Sequence, residues 1–95
     1  MFLVDFHFTN IENLTNDLTT AHRQHLADAY KSGELAFGGP KSPRTGGIII
    51  SRHKDRDHLE SLLASDPIVL AGLATYAITE FNVALTAKEF ESLSA

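Results

Sequence analysis

The sequence predicts an α+β fold in which an antiparallel sheet carries helices on one face. Three observations point to it. Apolar residues alternate along 2–8 and again along 74–83, the period of a strand with one buried face. Between them, two stretches repeat apolar residues at helical spacing. Ile48-Ile49-Ile50 is β-branched throughout and needs burial on both faces, which marks a central strand.

Along the chain, Phe2, Val4, Phe6 and Phe8 form the strongly apolar face of the first strand, and Leu3, Asp5 and His7 form a mixed face. Thr9 with Glu12 three residues on reads as a capping box that opens a helix. Ile11, Leu14, Leu18, His22, His25, Leu26 and Ala29 then share one side, and Gly33 closes it. Threonine, asparagine and aspartate crowd the first half of that helix and lower its propensity, so irregular early turns are expected. A short strand over Glu34–Phe37 ends at Gly38-Gly39-Pro40, and residues 40–47 read as turn chemistry. Asp55 caps a second helix through about Ala64, with Leu59, Leu62 and Leu63 inward. Asp66-Pro67 starts a short helical turn that Gly72 stops. The strand over 74–83 follows, and Thr86 with Glu89 predicts a brief terminal helix holding Phe90 and Leu93.

The order β-α-β-β-α-β, closed with right-handed crossovers, gives a ferredoxin-like antiparallel sheet with helices on one side. Its other face is left bare and half apolar. Pairing that face with a second copy is the simplest way to cover it, so a homodimer through the open sheet face is expected.

Ninety-five residues at 43% hydrophobic and 21% charged fit one domain, 1–95, with a small core. The chain has no cysteine, which excludes disulfides and thiolate chemistry and suits a reducing, cytoplasmic setting. No basic segment leads into a long apolar run, so no signal peptide is expected, and no apolar run is long enough to span a membrane. The net charge is −4 and the basic residues are scattered, against nucleic acid or a membrane surface as partner. Neither a nucleophile elbow nor a Rossmann or Walker fingerprint is present, and no cofactor is expected.

His22 with Gly33 downstream, then Gly39-Pro40, Gly46-Gly47 before three isoleucines, and Asp66-Pro67 before Tyr76 form an ordered set whose spacing resembles the YciI-like, YCII-related family. His22 precedes Gly33 by eleven residues, and Gly39-Pro40 follows. Gly46-Gly47 leads into Ile48-Ile49-Ile50, and Asp66-Pro67 is followed by Ala71-Gly72-Leu73 and Tyr76. The resemblance spans roughly residues 1–83. It implies a dimeric α+β barrel and an active-site pair carried here by His22 and Asp66. It also implies kinship with muconolactone-isomerase-like and dehydrochlorinase-type enzymes. Two departures stand out: Ile68 occupies the position after Asp-Pro where the family usually has an aromatic, and His25 adds a second histidine one turn from His22.

His22 sits in an apolar helical stripe. It reads either as a general acid/base, its tautomer fixed by a carboxylate, or as a core histidine satisfied by a backbone carbonyl. Asp66 is a natural N-cap and has lone pairs enough to orient an imidazole as well. The two are expected within hydrogen-bond reach. His25 shares the face, and the two histidines with Asp66 offer weak metal-ligand spacing; no metal is expected. Gly39, Pro40 and Arg44, in a glycine-flanked loop that also holds Lys41, read as a hairpin turn or as an anion-binding pocket rim. Tyr76 and Tyr30 are candidates to line the same cleft, or core residues with wet tips. The substrate-binding set is thus His25, Gly39, Pro40, Arg44 and Tyr76. His7 is expected in the barrel interior or at the interface, and His53 and His58 in a solvated charge cluster.

Three readings follow. One is a small enzyme running isomerisation or elimination on a small oxygenated molecule with the His22–Asp66 pair. The second is a non-catalytic dimeric module that binds a small ligand. The third is a purely structural subunit.

Overall fold

The computed structural model describes residues 1–93. Four strands form one antiparallel sheet: β1 (Phe2–Phe8), β2 (Leu35–Pro40), β3 (Gly46–Ser51) and β4 (Ala74–Glu80). Their spatial order is β2-β3-β1-β4, the ferredoxin-like arrangement. The helices are α1 (Asn16–Ser32), α2 (Arg56–Ala64) and α3 (Pro67–Leu70).

Register divides the sheet into two faces. Phe2, Val4 and Phe6 of β1 stand beside Ser51, Ile49 and Gly47 of β3, and beside Glu80, Ile78 and Tyr76 of β4. This is the face under the helices. Phe2, Val4, Phe6 and Ile49 bury there against Leu26 and Ala29 of α1, Leu59 and Leu63 of α2, and Ile68 of α3. Each of these side chains apart from Ala29 contributes roughly 1.5–3 kcal/mol. The opposite face carries Leu3, Ile48, Ile50 and Phe37 with the Asp5–Lys41 ion pair at 2.6 Å. Phe37 is 54% exposed.

The helix after β1 begins later than the sequence suggests. The hydroxyl of Thr9 donates to Gly72 O and caps nothing, and only a 3-10 turn, Ile11–Asn13, forms before the chain breaks. α1 starts instead behind Thr15, whose side chain accepts the amide of Leu18. Docking of Thr9 onto the chain before β4 thus overrides the capping signal it forms with Glu12. Gly33 ends α1 at φ 83°, the left-handed region glycine enters without strain.

Glycine-rich residues taken for turn are strand. β2 runs through Gly38-Gly39-Pro40 and pairs with β3 down to Gly47. As an edge strand it tolerates a proline that cannot donate to the ladder. The glycines are there because backbones come close. A Cβ at Gly46 would stand 1.9 Å from the carbonyl oxygen of Phe6, and one at Gly38 would stand 2.7 Å from the hydroxyl of Tyr30. Only 41–45 remains as the connecting loop.

Three smaller differences follow from packing. β4 ends at Glu80, because beyond the hydrogen bond that the Phe81 N–H donates to Met1 O the neighbouring strand has ended. The C-terminal helix is a 3-10 turn, Lys88–Leu93, and Phe90 is 48% exposed instead of held. Leu62 is only half-buried, and its backbone carbonyl meets the His25 ring.

Candidate functional site

A cleft of about 410 Å³ opens between α1 and the paired ends of β2 and β3. It falls within the usual range for small-molecule sites. Its roof is a single stripe of α1: Thr19, His22, Arg23, Leu26 and Tyr30, at helical spacing. Phe6, Phe8, Ile49 and Ile68 supply apolar walls. The glycines of β2 and β3 form the floor.

At the inner wall, His22 Nδ1 meets Asp66 Oδ2 at 2.5 Å. Asp66 is fully buried and the His22 side chain is 24% exposed. The carboxylate reaches this position because it caps α3: its Oδ1 accepts the amide of Ile68 at 2.9 Å. One oxygen thus fixes the backbone and the other fixes the imidazole. Phe6 holds the ring from the side, edge to face, with centroids 5.8 Å apart. With the ionised carboxylate accepting from Nδ1–H, Nε2 carries the free lone pair. No described residue hydrogen-bonds to Nε2, which is therefore the nitrogen left for a molecule in the cleft.

Of the residues the sequence puts forward, His22, Gly39, Pro40 and Arg44 line this cleft, with Asp66 directly behind His22. His25 and Tyr76 do not. His25 Nε2 donates to the carbonyl of Leu62 at 2.7 Å, in a separate concavity shared with Asp28, His53 and His58. His22, His25 and Asp66 therefore do not converge as ligands, and among the described residues no cluster of three or more His, Asp or Glu is placed to hold a metal. Tyr76 packs on Phe6 at 5.9 Å between ring centroids, as a core body. His7 lies on the open sheet face, beside Gly46 and Thr75.

His53 corrects the expectation of a solvated cluster. It is buried, with Nδ1 2.7 Å from Ser51 Oγ and Nε2 3.5 Å from Glu34. This Ser–His–Glu string is no nucleophilic triad, since Ser51 is fully buried and no substrate reaches it.

Two cleft residues go beyond the sequence-based set. Arg23 follows His22 directly and shares the roof. Tyr30, named only as a candidate lining residue, places its hydroxyl over Gly38, and burial pushes its phenol above the ordinary tyrosine value. The signal for both is the helical stripe 19, 22, 23, 26, 30, which is narrower than the apolar pattern and shifted from it. Ile68, the departure from the family's aromatic, is a wall of the cleft, so this pocket is lined by an aliphatic side chain there.

Fold and site together define a class: a ferredoxin-like α+β protein with a histidine–carboxylate pair at a helix–sheet cleft. The chain belongs to the YCII-related domain family, whose model matches residues 3–82. Among solved structures it is similar to 5-chloro-2-hydroxyhydroquinone dehydrochlorinase from Burkholderia phenoliruptrix, described as a complex with 2,5-dihydroxybenzoquinone. The TM-score is 0.69 at 19% identity, covering 86% of this chain and 94% of that one. At this identity the likeness is one of fold. Comparison with curated proteins gives no significant match. No described helix is long and apolar enough to cross a membrane.

Proposed function

We propose that this chain is a cofactor-independent acid/base enzyme that isomerises, or eliminates a group from, a small oxygenated organic molecule. The observation that carries the reading is the 2.5 Å contact between His22 and a fully buried Asp66, at the wall of a cleft of small-molecule size.

In this reading the free Nε2 of His22 takes a proton from a carbon next to a carbonyl. The C–H electron pair moves into the enolate, and Asp66 stabilises the imidazolium that forms. Isomerisation follows when the same nitrogen returns the proton at another carbon. Elimination follows when the electron pair expels a leaving group and the proton passes to water. Tyr30, whose phenol burial pushes above the ordinary tyrosine value, is a hydrogen-bond donor for an oxygen of the substrate. The structural relative is named as a dehydrochlorinase of a hydroxylated aromatic, an elimination of the same kind. The enzyme would act in the cytoplasm as a homodimer.

The test is a screen of small carbonyl and hydroxyaromatic compounds, with recovered material analysed by mass spectrometry. His22→Gln is expected to fold normally and to lose turnover by about 10²-fold or more, the usual contribution of a positioned acid/base. Asp66→Asn keeps the cap but not the charge, and is expected to lose turnover with little change in stability. Asp66→Ala also loses the cap, a further cost of about 0.5–2 kcal/mol. Turnover unchanged in His22→Gln would sink the mechanism. A ligand bound but returned with unaltered mass would mark a binding module instead.

A further inference from the structure

We propose that the substrate is a small organic anion whose negative group is held by Arg44 and Arg23 beside His22. This rests on the acid/base reading and names the class of molecule it acts on.

The charge distribution is the first support. The chain carries 12 acidic against 8 basic residues, yet no carboxylate lines the cleft among the described residues. Asp66 is present only behind the imidazole. The formal charges facing the cleft are two guanidiniums, Arg23 and Arg44. A net acidic protein repels small anions over most of its surface, so a cationic cleft stands out against that background.

The second support is that neither charge has an acidic partner among the described residues. Lys41 is tied to Asp5 at 2.6 Å, and Arg56 pairs with Glu60 at 3.6 Å. Arg23 makes no ion pair among the described residues. Arg44 reaches only neutral groups: the Thr19 hydroxyl at 3.4 Å and the face of Phe8 at 6.0 Å. Guanidinium is always charged and presents a planar fork of donors matched to a carboxylate.

The third is position. Thr19, His22 and Arg23 lie within about one turn of α1, so a group bound by Arg44 at Thr19 sits next to the imidazole. The remaining walls, Phe6, Leu26, Ile49 and Ile68, are apolar. The cleft therefore suits a molecule with one charged end and a flat apolar body. Chemistry gives the arrangement a purpose beyond affinity. Proton removal from an anion builds a second negative charge close to the first, and the guanidiniums are already in place to stabilise it.

The experiment compares 4-hydroxybenzoate with 4-hydroxybenzamide, the same ring with and without the charge. Binding is measured by calorimetry on the wild type, Arg23→Gln, Arg44→Gln, the double variant and His22→Gln, with circular dichroism confirming the fold of each. The benzoate is expected to bind at least about tenfold more tightly than the amide, a difference of about 1.4 kcal/mol. Each arginine variant reduces that preference, the double variant abolishes it, and His22→Gln keeps it. Raising the salt concentration weakens the benzoate and leaves the amide unchanged. Equal affinity for acid and amide, a preference that survives in the double variant, or no binding of either overturns the proposal. The two readings fail separately: His22→Gln turnover decides the acid/base chemistry, and the acid-to-amide ratio decides the anion.

Discussion

Tyr30 is the cleft residue whose ionisation is altered by its surroundings: burial raises its pKa. In the unfolded chain the phenol loses its proton near the usual value of about 10. In the folded chain it holds the proton to higher pH. Between those values the unfolded state binds fewer protons than the folded one, so stability falls as pH rises. The contribution is fully present below about pH 10 and is lost as pH climbs through the folded value. Tyr30→Phe removes that linkage. Urea midpoints taken at about pH 8 and about pH 10.5 are expected to fall less in Tyr30→Phe than in the wild type. An identical fall in both would place the alkaline loss elsewhere. At this scale the sequence was informative about identity and less so about orientation. Residue pattern alone left His22 open as a core histidine and Asp66 as a plain N-cap; the family resemblance is what paired them, and the two stand 2.5 Å apart. His25 is only three residues from His22, yet a rotation along α1 carries it to the carbonyl of Leu62 in another concavity. His53 looked solvated because its sequence neighbours are charged. It is buried nonetheless, with Ser51 at the end of β3 on one ring nitrogen and Glu34, just before β2, near the other, and local context does not reveal the contact with Glu34.

Among the elements, β2 and β3 show where composition and tertiary need diverge. Gly38-Gly39-Pro40 and Gly46-Gly47 are turn residues by propensity, but here they are paired strand. Propensity records what a glycine permits, and it does not reveal that a neighbour requires one. The requirement at Gly46 is steric, since Phe6 O lies where a Cβ would stand, at 1.9 Å. Gly46→Ala is therefore expected to push β3 off β1 and destabilise the protein by about 1–3 kcal/mol or more. Gly39 is the internal control. A Cβ there meets nothing within 4 Å and its φ is not positive, so Gly39→Ala is expected to be neutral or stabilising by up to about 1 kcal/mol. Urea denaturation of the two variants checks this contrast, and equal stabilities would refute it. The other elements were legible because their signals do not depend on distant contacts. Period-two alternation marked β1 and β4, Asp55 and Asp66 capped α2 and α3 as read, and Gly33 closed α1. The start of α1 was misread because Thr9 gives its hydroxyl to the carbonyl of Gly72, far along the chain, and the cap is made by Thr15 instead.

For the molecule as a whole, the unresolved force is the open sheet face. Leu3 and Ile50 are directly paired across β1 and β3, and Ile48 and Phe37 flank them, on the face away from α1, α2 and α3. Four strands about 4.8 Å apart and some 20 Å long give a footprint of only about 400 Å². A stable interface buries about 800 Å² on each partner. The face alone therefore falls short, and a dimer needs more surface than the sheet supplies. Further apolar surface is present in the chain after β4, where Phe81 is 36%, Leu85 94% and Phe90 48% exposed. A homodimer that joins the open faces and also covers this segment satisfies both shortfalls. Sedimentation equilibrium is then expected to give twice the chain mass of 10.4 kDa for the wild type. Leu3→Lys with Ile50→Lys places two like charges at the centre of the contact and is expected to yield monomer. Leu85→Asp with Phe90→Asp removes only the flanking surface and is expected to weaken the dimer, raising its dissociation constant about tenfold or more, without abolishing it. A wild type that stays monomeric at high concentration would show that the apolar face is left to solvent or to another partner. A tail variant that dimerises as tightly as wild type would show that the sheet face suffices, against the area argument.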